Sequence, residues 1–410
     1  MDGSISAGDA LPWEPWKHIP ADMLGLVLRL MPCVADRTRM RSVCRSWRDA
    51  AAIQRPPPPL PMLMFTRFFA SFASFSSFSP TTVITEFSRI PLHKDVTISW
   101  VGSSDEWLAG TRPSREREKA DGHCFLVNAF SRETIHLPQP CAFHFFDYFS
   151  KTLPIVNTSR SIDINIHAPE YPMRFRKVVL SASPDSGSMC IVAAISHHTL
   201  ALWHPGMTSW CVCRSFIDVT VDIAFYQGRI YMVSTYSPNI LSILFFELEE
   251  VDGRVMVSYV EQCVTKPLTL FEGFQVVQCN IVEWRGKLVL IIRYADSYWA
   301  FTKIIRKIGI YALDFSTNPH SFTEINSLGG DCLFISSCSS KSFPGCHYDG
   351  AKGDFVYFVS NYRQLPSVDP SFDVLVYNVR DATMTEFPVM VPRDNFGPFM
   401  ENLLWLFPPK

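Results

Sequence analysis

A chain of 410 residues is too long for one small core, so a large domain must accompany any small one it contains. Its 37 basic and 39 acidic side chains leave a formal charge of −2, which removes the electrostatic case for DNA, RNA or anionic lipid as a partner. Apolar residues make up 47% and charged residues 19%, the balance of a chain that buries a core, and 32 phenylalanines favour strands.

Residues 1–15 are polar and small, lack a basic and apolar targeting pattern, and are expected to be a disordered leader. A helical domain is expected over 16–52. Pro20 fixes φ where a helix begins, and Asp22 adds negative charge to its first turn. Met23, Leu24, Val27, Leu28 and Met31 recur at helical spacing until Pro32 ends the run. Asp36 can cap a second segment, in which Met40, Val43, Cys44, Trp47 and Ala51 share one face. Such short helices bury too little to be stable alone. The row Val43, Cys44, Trp47 also exceeds what so small a core needs, and the surplus reads as a docking surface.

The order Ile19-Pro20, Asp22, Leu24, Leu28, Asp36, Arg39, then Val43-Cys44-Arg45-Ser46-Trp47-Arg48, resembles an F-box, the motif that recruits a protein to the Skp adaptor of a cullin-based ubiquitin ligase. The resemblance implies that Ile19, Pro20, Leu24, Leu28, Val43, Cys44 and Trp47 dock on that adaptor. Arg37, Arg39, Arg41, Arg45 and Arg48 interleave with the apolar stripe and read as its solvated face, not as a nucleic-acid site.

Residues 53–61 contain the tetraproline Pro56–Pro59 and are expected to be a stiff, extended spacer. Leu60 to Phe78 is apolar enough to suggest a membrane span, but Arg67 and its serines break the run. Met62 to Phe65 reads as a strand, and the Phe/Ser stretch as an irregular loop or edge strand.

Beyond this point the period changes. Short runs rich in Val, Ile, Phe and Tyr alternate with Gly, Ser, Asp, Asn and Pro, and no amphipathic helix of about ten residues stands out. A glycine-led turn and apolar strand recurs at Gly228, Gly286 and Gly353. Strand–turn–strand hairpins recur at 124–138, 200–213, 243–260, 308–325 and 374–388. One such unit cannot cover its own apolar faces, whereas units arranged radially can. Residues 62–408 are therefore expected to form a β-propeller of six blades, with seven as the alternative and a pair of β-sandwiches as the competing fold. The apolar run Leu403–Phe407 is placed to close the ring against Met62–Phe65.

Ile90-Pro91-Leu92, Val101-Gly102-Ser103-Ser104 with Trp107-Leu108, Leu126-Val127-Asn128 with Leu137-Pro138, and Val178-Val179-Leu180-Ser181 occur in one order along the chain. Asp222 with Phe225-Tyr226-Gln227-Gly228, and Ser327-Leu328-Gly329 with Leu333-Phe334, continue it. The ordered set resembles a plant F-box family with a kelch-like propeller domain of unknown function. The chain departs from that pattern at Glu106, where Gly is usual, and at Ala129, where Pro is usual.

No set of residues with the spacing of a catalytic centre stands out: there is no nucleophile elbow, phosphate loop or His-Glu-x-x-His. His197-His198 diverge on a strand and Cys346-His347 has no second pair nearby, so no metal or cofactor is expected. The twelve cysteines form no Cys-x-x-Cys pair, the nearest spacing being Cys211-Val212-Cys213. They read as reduced, buried thiols of an intracellular protein, cytoplasmic or nuclear. Asp218, Asp222 and Asp314 read as turn or blade-corner carboxylates, and Trp203, Trp210, Trp284 and Trp299 as packing between blades. The charged run Arg112–Lys119 reads as a solvated loop. The expected function is thus that of a non-catalytic substrate-recognition subunit of a Skp–cullin–F-box ubiquitin ligase, with an unidentified target protein on the propeller. A non-degradative scaffold is the alternative, and a ligand-binding or catalytic propeller a more distant one.

Overall fold

The structure is a computed structural model. It describes residues 19–30, 40, 43–54, 61–64, 68–70, 82–83, 87–89, 98–112, 123–139, 143–146, 149–150, 173–196, 199–214, 219–236, 240–267, 275–295, 305–317, 320–344, 352–360, 371–390 and 403–407. The leader 1–15, the tetraproline, His197-His198, Cys346-His347, Asp218, Trp299, Asp36, most of the Phe/Ser stretch and all of the charged run but Arg112 lie outside these residues.

Among the described residues two short helices come first, α1 (Ala21–Leu30) and α2 (Arg45–Gln54). Asp22 lies in the first turn of α1, and the Leu24 amide donates to the Pro20 carbonyl at 3.0 Å, so the helix starts where proline sets φ. Leu24 and Leu28, one turn apart on α1, pack on Met40, Ala50 and Ala51 in a small core, with Ile19 and Trp47 partly buried against it.

Beyond a single 3-10 turn at Pro184–Ser186, the regular structure of the remaining described residues is strand, in six hydrogen-bonded sheets. The first joins both ends of the chain: β28 (Leu404–Leu406), β1 (Met62–Met64), β2 (Phe68–Ala70) and β4 (Phe87–Arg89). The second is β5 (Ser99–Ser104), β6 (Trp107–Arg112), β7 (His123–Asn128) and β8 (Thr134–His136). The third runs β11 (Phe175–Leu180), β12 (Val192–Ser196), β13 (Thr199–Trp203), β14 (Trp210–Arg214) and β9 (Phe143–Phe146). The fourth is β15 (Val219–Tyr226), β16 (Arg229–Tyr236), β17 (Ile240–Val251), β18 (Arg254–Pro267) and β10 (Phe149–Ser150). The fifth is β19 (Gln275–Trp284), β20 (Lys287–Ala295), β21 (Ile305–Asp314) and β22 (Ser321–Glu324). The sixth begins with β24 (Ser340–Phe343) and continues through β23 (Cys332–Ile335), β25 (Phe355–Ser360), β26 (Ser371–Asn378), β27 (Thr383–Met390) and β3 (Thr82–Val83).

The first strands of successive sheets touch in turn: β28 on β5, β5 on β11, β11 on β15, β15 on β19, and β19 on β24. The circle closes where Trp405 on β28 meets Phe334 on β23 edge to face, ring centroids 5.1 Å apart. This cyclic order is that of a β-propeller, and the apolar clusters of the ring lie between neighbouring sheets. The five hairpins expected from sequence are all present, as is the closing pair: Met62 stands opposite Leu406, Leu63 opposite Trp405 and Met64 opposite Leu404. Tight turns follow the first strands. Gln227-Gly228 has φ of 48° and 76°, and Arg285-Gly286 has 47° and 68°; this left-handed pair matches the twist of a hairpin and explains the glycine after each apolar run. Parallel strands are added at the outer edges of the third, fourth and sixth sheets, β9 on β14, β10 on β18 and β3 on β27, whereas the sixth sheet has a further parallel pair, β23 on β25, with β24 added beyond β23.

Candidate functional site

The helical pair carries large apolar side chains that its own core does not use. Met23 is 53% exposed, Leu26 54%, Val27 41% and Val43 58%. Pro20 is exposed, while Ile19, Cys44 and Trp47 are half-buried. The residues expected to dock therefore divide. Leu24 and Leu28 are buried in the core of the pair, so they hold the helices together from below and do not face outward. Val43, Cys44, Pro20 and Trp47 retain accessible surface. Sequence reasoning placed Met23 and Val27 on the same stripe as Leu24 and Leu28 and gave Leu26 no role. The signal was there: three apolar residues beyond those needed to fill a core this small.

The second concentration of function-bearing groups lies on the ring axis. Lys177 on β11 is paired with Asp222 on β15, both side chains almost wholly buried. The other Asp222 oxygen accepts from the Ile281 amide at 2.9 Å and from Asn280 Nδ2 at 3.3 Å, and Oδ1 accepts from the Ile223 amide at 2.8 Å. Asn280 Nδ2 also donates to the Ser336 carbonyl at 3.1 Å. Asp222 is thus an interior strand residue and not the turn or corner residue expected, although its carboxylate does accept backbone hydrogen bonds. Asp314 fits its expectation, accepting from the Ser316 amide at 2.9 Å in an exposed turn; that bond and the Ser316 hydroxyl hold its carboxyl below the ordinary range. Lys177, Asp222 and Asn280 are engaged with one another or with backbone, Asn280 Oδ1 alone lacking a partner among the described residues, which describes a lock between sheets better than an open site.

The sheet corners are tied in the same manner. Trp107 Nε1 donates to Asp185 at 2.8 Å, Tyr226 hydroxyl to the Gly286 carbonyl at 2.7 Å, and Trp284 Nε1 to Asp331 at 2.9 Å. Arg285 grips Asp331 with Nε at 2.5 Å and Nη2 at 3.0 Å, and Lys341 pairs with Asp105. Trp203, Trp210 and Trp284 are buried as packing between and within sheets. Cys211 and Cys213 are free thiols buried on β14. Among the described residues, no group of three or more His, Cys, Asp or Glu is placed to hold a metal ion. Among them, too, no helix is long and apolar enough to cross a membrane.

A ring of sheets, with a helical pair that leaves apolar side chains exposed, defines a propeller protein with an N-terminal helical element. The model of the KIB1-4 beta-propeller family matches residues 75–378, and the chain belongs to that family. It is similar along most of its length to F-box proteins of Arabidopsis thaliana. A putative F-box protein is 21% identical, the match covering 90% of this chain and 93% of that one. An F-box/kelch-repeat protein is 23% identical, with 96% and 95% covered. Among solved structures, an alpha-L-arabinanase of Penicillium chrysogenum complexed with arabinobiose is 10% identical at a TM-score of 0.33, covering 80% of this chain and 86% of that one, a likeness too slight to carry any argument.

Proposed function

We propose that this chain is the substrate-recognition subunit of a Skp–cullin–F-box ubiquitin ligase. The observation that carries the reading is the outward apolar set Met23, Leu26, Val27 and Val43 on a helical pair whose core is already filled by Leu24, Leu28, Met40, Ala50 and Ala51. Burying such side chains against a partner is worth about 1.5–3 kcal/mol each before the losses of association. The F-box names of its relatives and the Val43-Cys44-Arg45-Ser46-Trp47 run support the Skp adaptor as that partner, reached through Ile19, Pro20, Val43, Cys44 and Trp47 together with the exposed set. Leu24 and Leu28 act as the frame. The adaptor would bring cullin with it, and the complex would work in the cytoplasm or nucleus.

The chain makes and breaks no bonds in this reading. It supplies proximity, holding a target protein beside the transfer machinery. The propeller, which we take as six blades with one per sheet, is the target-binding part, and the Pro56–Pro59 spacer sets its distance from the adaptor. Arg285, Asp331, Lys341 and Asp105 spend their charges on each other at the sheet corners, which favours target binding on the opposite face of the ring.

Affinity purification of the tagged full chain, with and without proteasome inhibition, tests the proposal. The Skp adaptor should co-purify in both conditions, and target proteins should accumulate on inhibition. Val27→Asp combined with Val43→Asp should remove the adaptor and leave the targets. Adaptor recovery unchanged in that variant would overturn the reading.

A further inference from the structure

The turn between β23 and β24, Ser336-Ser337-Cys338-Ser339, is one short segment of the sixth sheet that reaches the first, third and fifth sheets. Ser336, Cys338 and Ser339 are each about 1% exposed. Internally the turn is held by Ser336 Oγ, which accepts the Ser339 amide at 2.9 Å and lies 2.8 Å from Ser339 Oγ. Outwardly, Ser339 Oγ accepts the Trp405 amide at 2.8 Å, and the Ile335 carbonyl just before the turn accepts Trp405 Nε1 at 3.2 Å. The Ser336 carbonyl accepts Asn280 Nδ2 from β19. Cys338 Sγ lies 3.5 Å from the Arg176 carbonyl on β11 as its donor. In the cyclic order the third sheet stands opposite the sixth, so a bond from Cys338 to β11 has to cross the ring axis.

We infer that the Ser336–Ser339 turn is an axial pin that couples the seating of the C-terminal strand β28 to the interior polar network on the far side of the ring. One side of the pin holds Trp405, and the other reaches Asn280, which in turn reaches Asp222 and Lys177. Release of β28 and release of the axis are then a single cooperative event, because a buried hydroxyl or carbonyl stripped of its partner is expensive on either side. The inference does not depend on the ligase reading.

Two readouts on the full-length chain test the coupling: site-resolved alkylation of Cys338 followed by peptide mass spectrometry, and hydrogen exchange of the Leu404–Leu406 amides. Burial pushes the Cys338 thiol up to about 11, so its native reaction is slow and reports opening. Ser339→Ala should accelerate both readouts by about tenfold, in step. Ser316→Ala, in an exposed turn, should change neither. Acceleration at Leu404–Leu406 with Cys338 unchanged would overturn the inference, as would no change in either. Should Ser339→Ala fail to fold, Trp405→Phe, which deletes only the indole donor, is judged by the same criterion.

Discussion

The ammonium of Lys177 lies against the carboxylate of Asp222 in the interior of the ring, on neighbouring sheets and almost entirely out of water. Two charges so placed are tolerable only as a pair, since each alone would face a large desolvation penalty. Lys177→Met should therefore cost about 3–5 kcal/mol of stability, read as a lower midpoint in chemical denaturation. Lys177→Met with Asp222→Asn should recover only part of it, because no charge is left unpaired while the one amide oxygen can accept from the Ile223 or the Ile281 amide but not from both.

Gly102 faces the neighbouring sheet without a side chain for a plain reason. A Cβ there would stand 2.1 Å from the Val178 carbonyl oxygen on β11. Backbone cannot swing aside as a flexible side chain can, so Gly102→Ala should destabilise the ring by about 1–3 kcal/mol. Gly253→Ala, at an open turn where a Cβ meets nothing within 4 Å but φ is 69°, should lose less, about 1 kcal/mol. Thermal unfolding of the two variants side by side checks the order.

Asp331 receives Trp284 Nε1 and the Arg285 guanidinium together, joining the fifth sheet to the approach of the sixth. Trp284→Phe keeps most of the packing and removes one donor, an expected loss of about 1 kcal/mol. Asp331→Ala strands the buried indole and takes the carboxylate from the guanidinium, which keeps its bond to the Gly329 carbonyl, and should lose about twice as much or more. Equal losses in the two variants would contradict this division.

The closing strand was legible in the sequence because a ring of sheets has to close, and the apolar run Leu403–Phe407 at one end of the propeller region matches the apolar run at Met62 at the other. The hairpins were legible from their turns. The axial network was not. Lys177, Asn280 and Ser336 carry no local signal, and they meet only because the ring brings β11, β19 and the β23–β24 turn to one axis. Asp222 drew notice but was placed at a corner, since an isolated carboxylate in a strand gives no hint of a lysine some forty residues away. The apolar stripe was visible, yet its spacing could not say which residues face the helical core and which face out. Packing of α1 on α2 decided that Leu24 and Leu28 go inward.

Stability should fall at both ends of the pH scale. Burial pushes the thiols of Cys124, Cys263, Cys279 and Cys332 from an ordinary value near 9 up to about 12, so the folded chain keeps protons that the unfolded chain gives up. Their contribution is complete below about pH 9 and is lost as pH rises toward 12. At the other end, burial raises Asp354, but hydrogen bonds from Ser327, Arg380 and the Leu328 amide outweigh it and hold the carboxyl below its ordinary 3.8. That stabilisation is present above the ordinary value and is lost as pH falls through the depressed one. Denaturation midpoints from pH 3 to pH 11 should trace this shape, and Asp354→Asn should blunt the acid limb alone.

The central claim is that the outward face of α1 and α2 grips the Skp adaptor, and titration calorimetry of purified full-length chain against purified adaptor tests it most directly. The account predicts saturable binding, weakened about thirtyfold by Val27→Asp or by Val43→Asp, with thermal unfolding of the propeller unchanged. Wild-type affinity in both variants, or no binding by the parent chain, would contradict it.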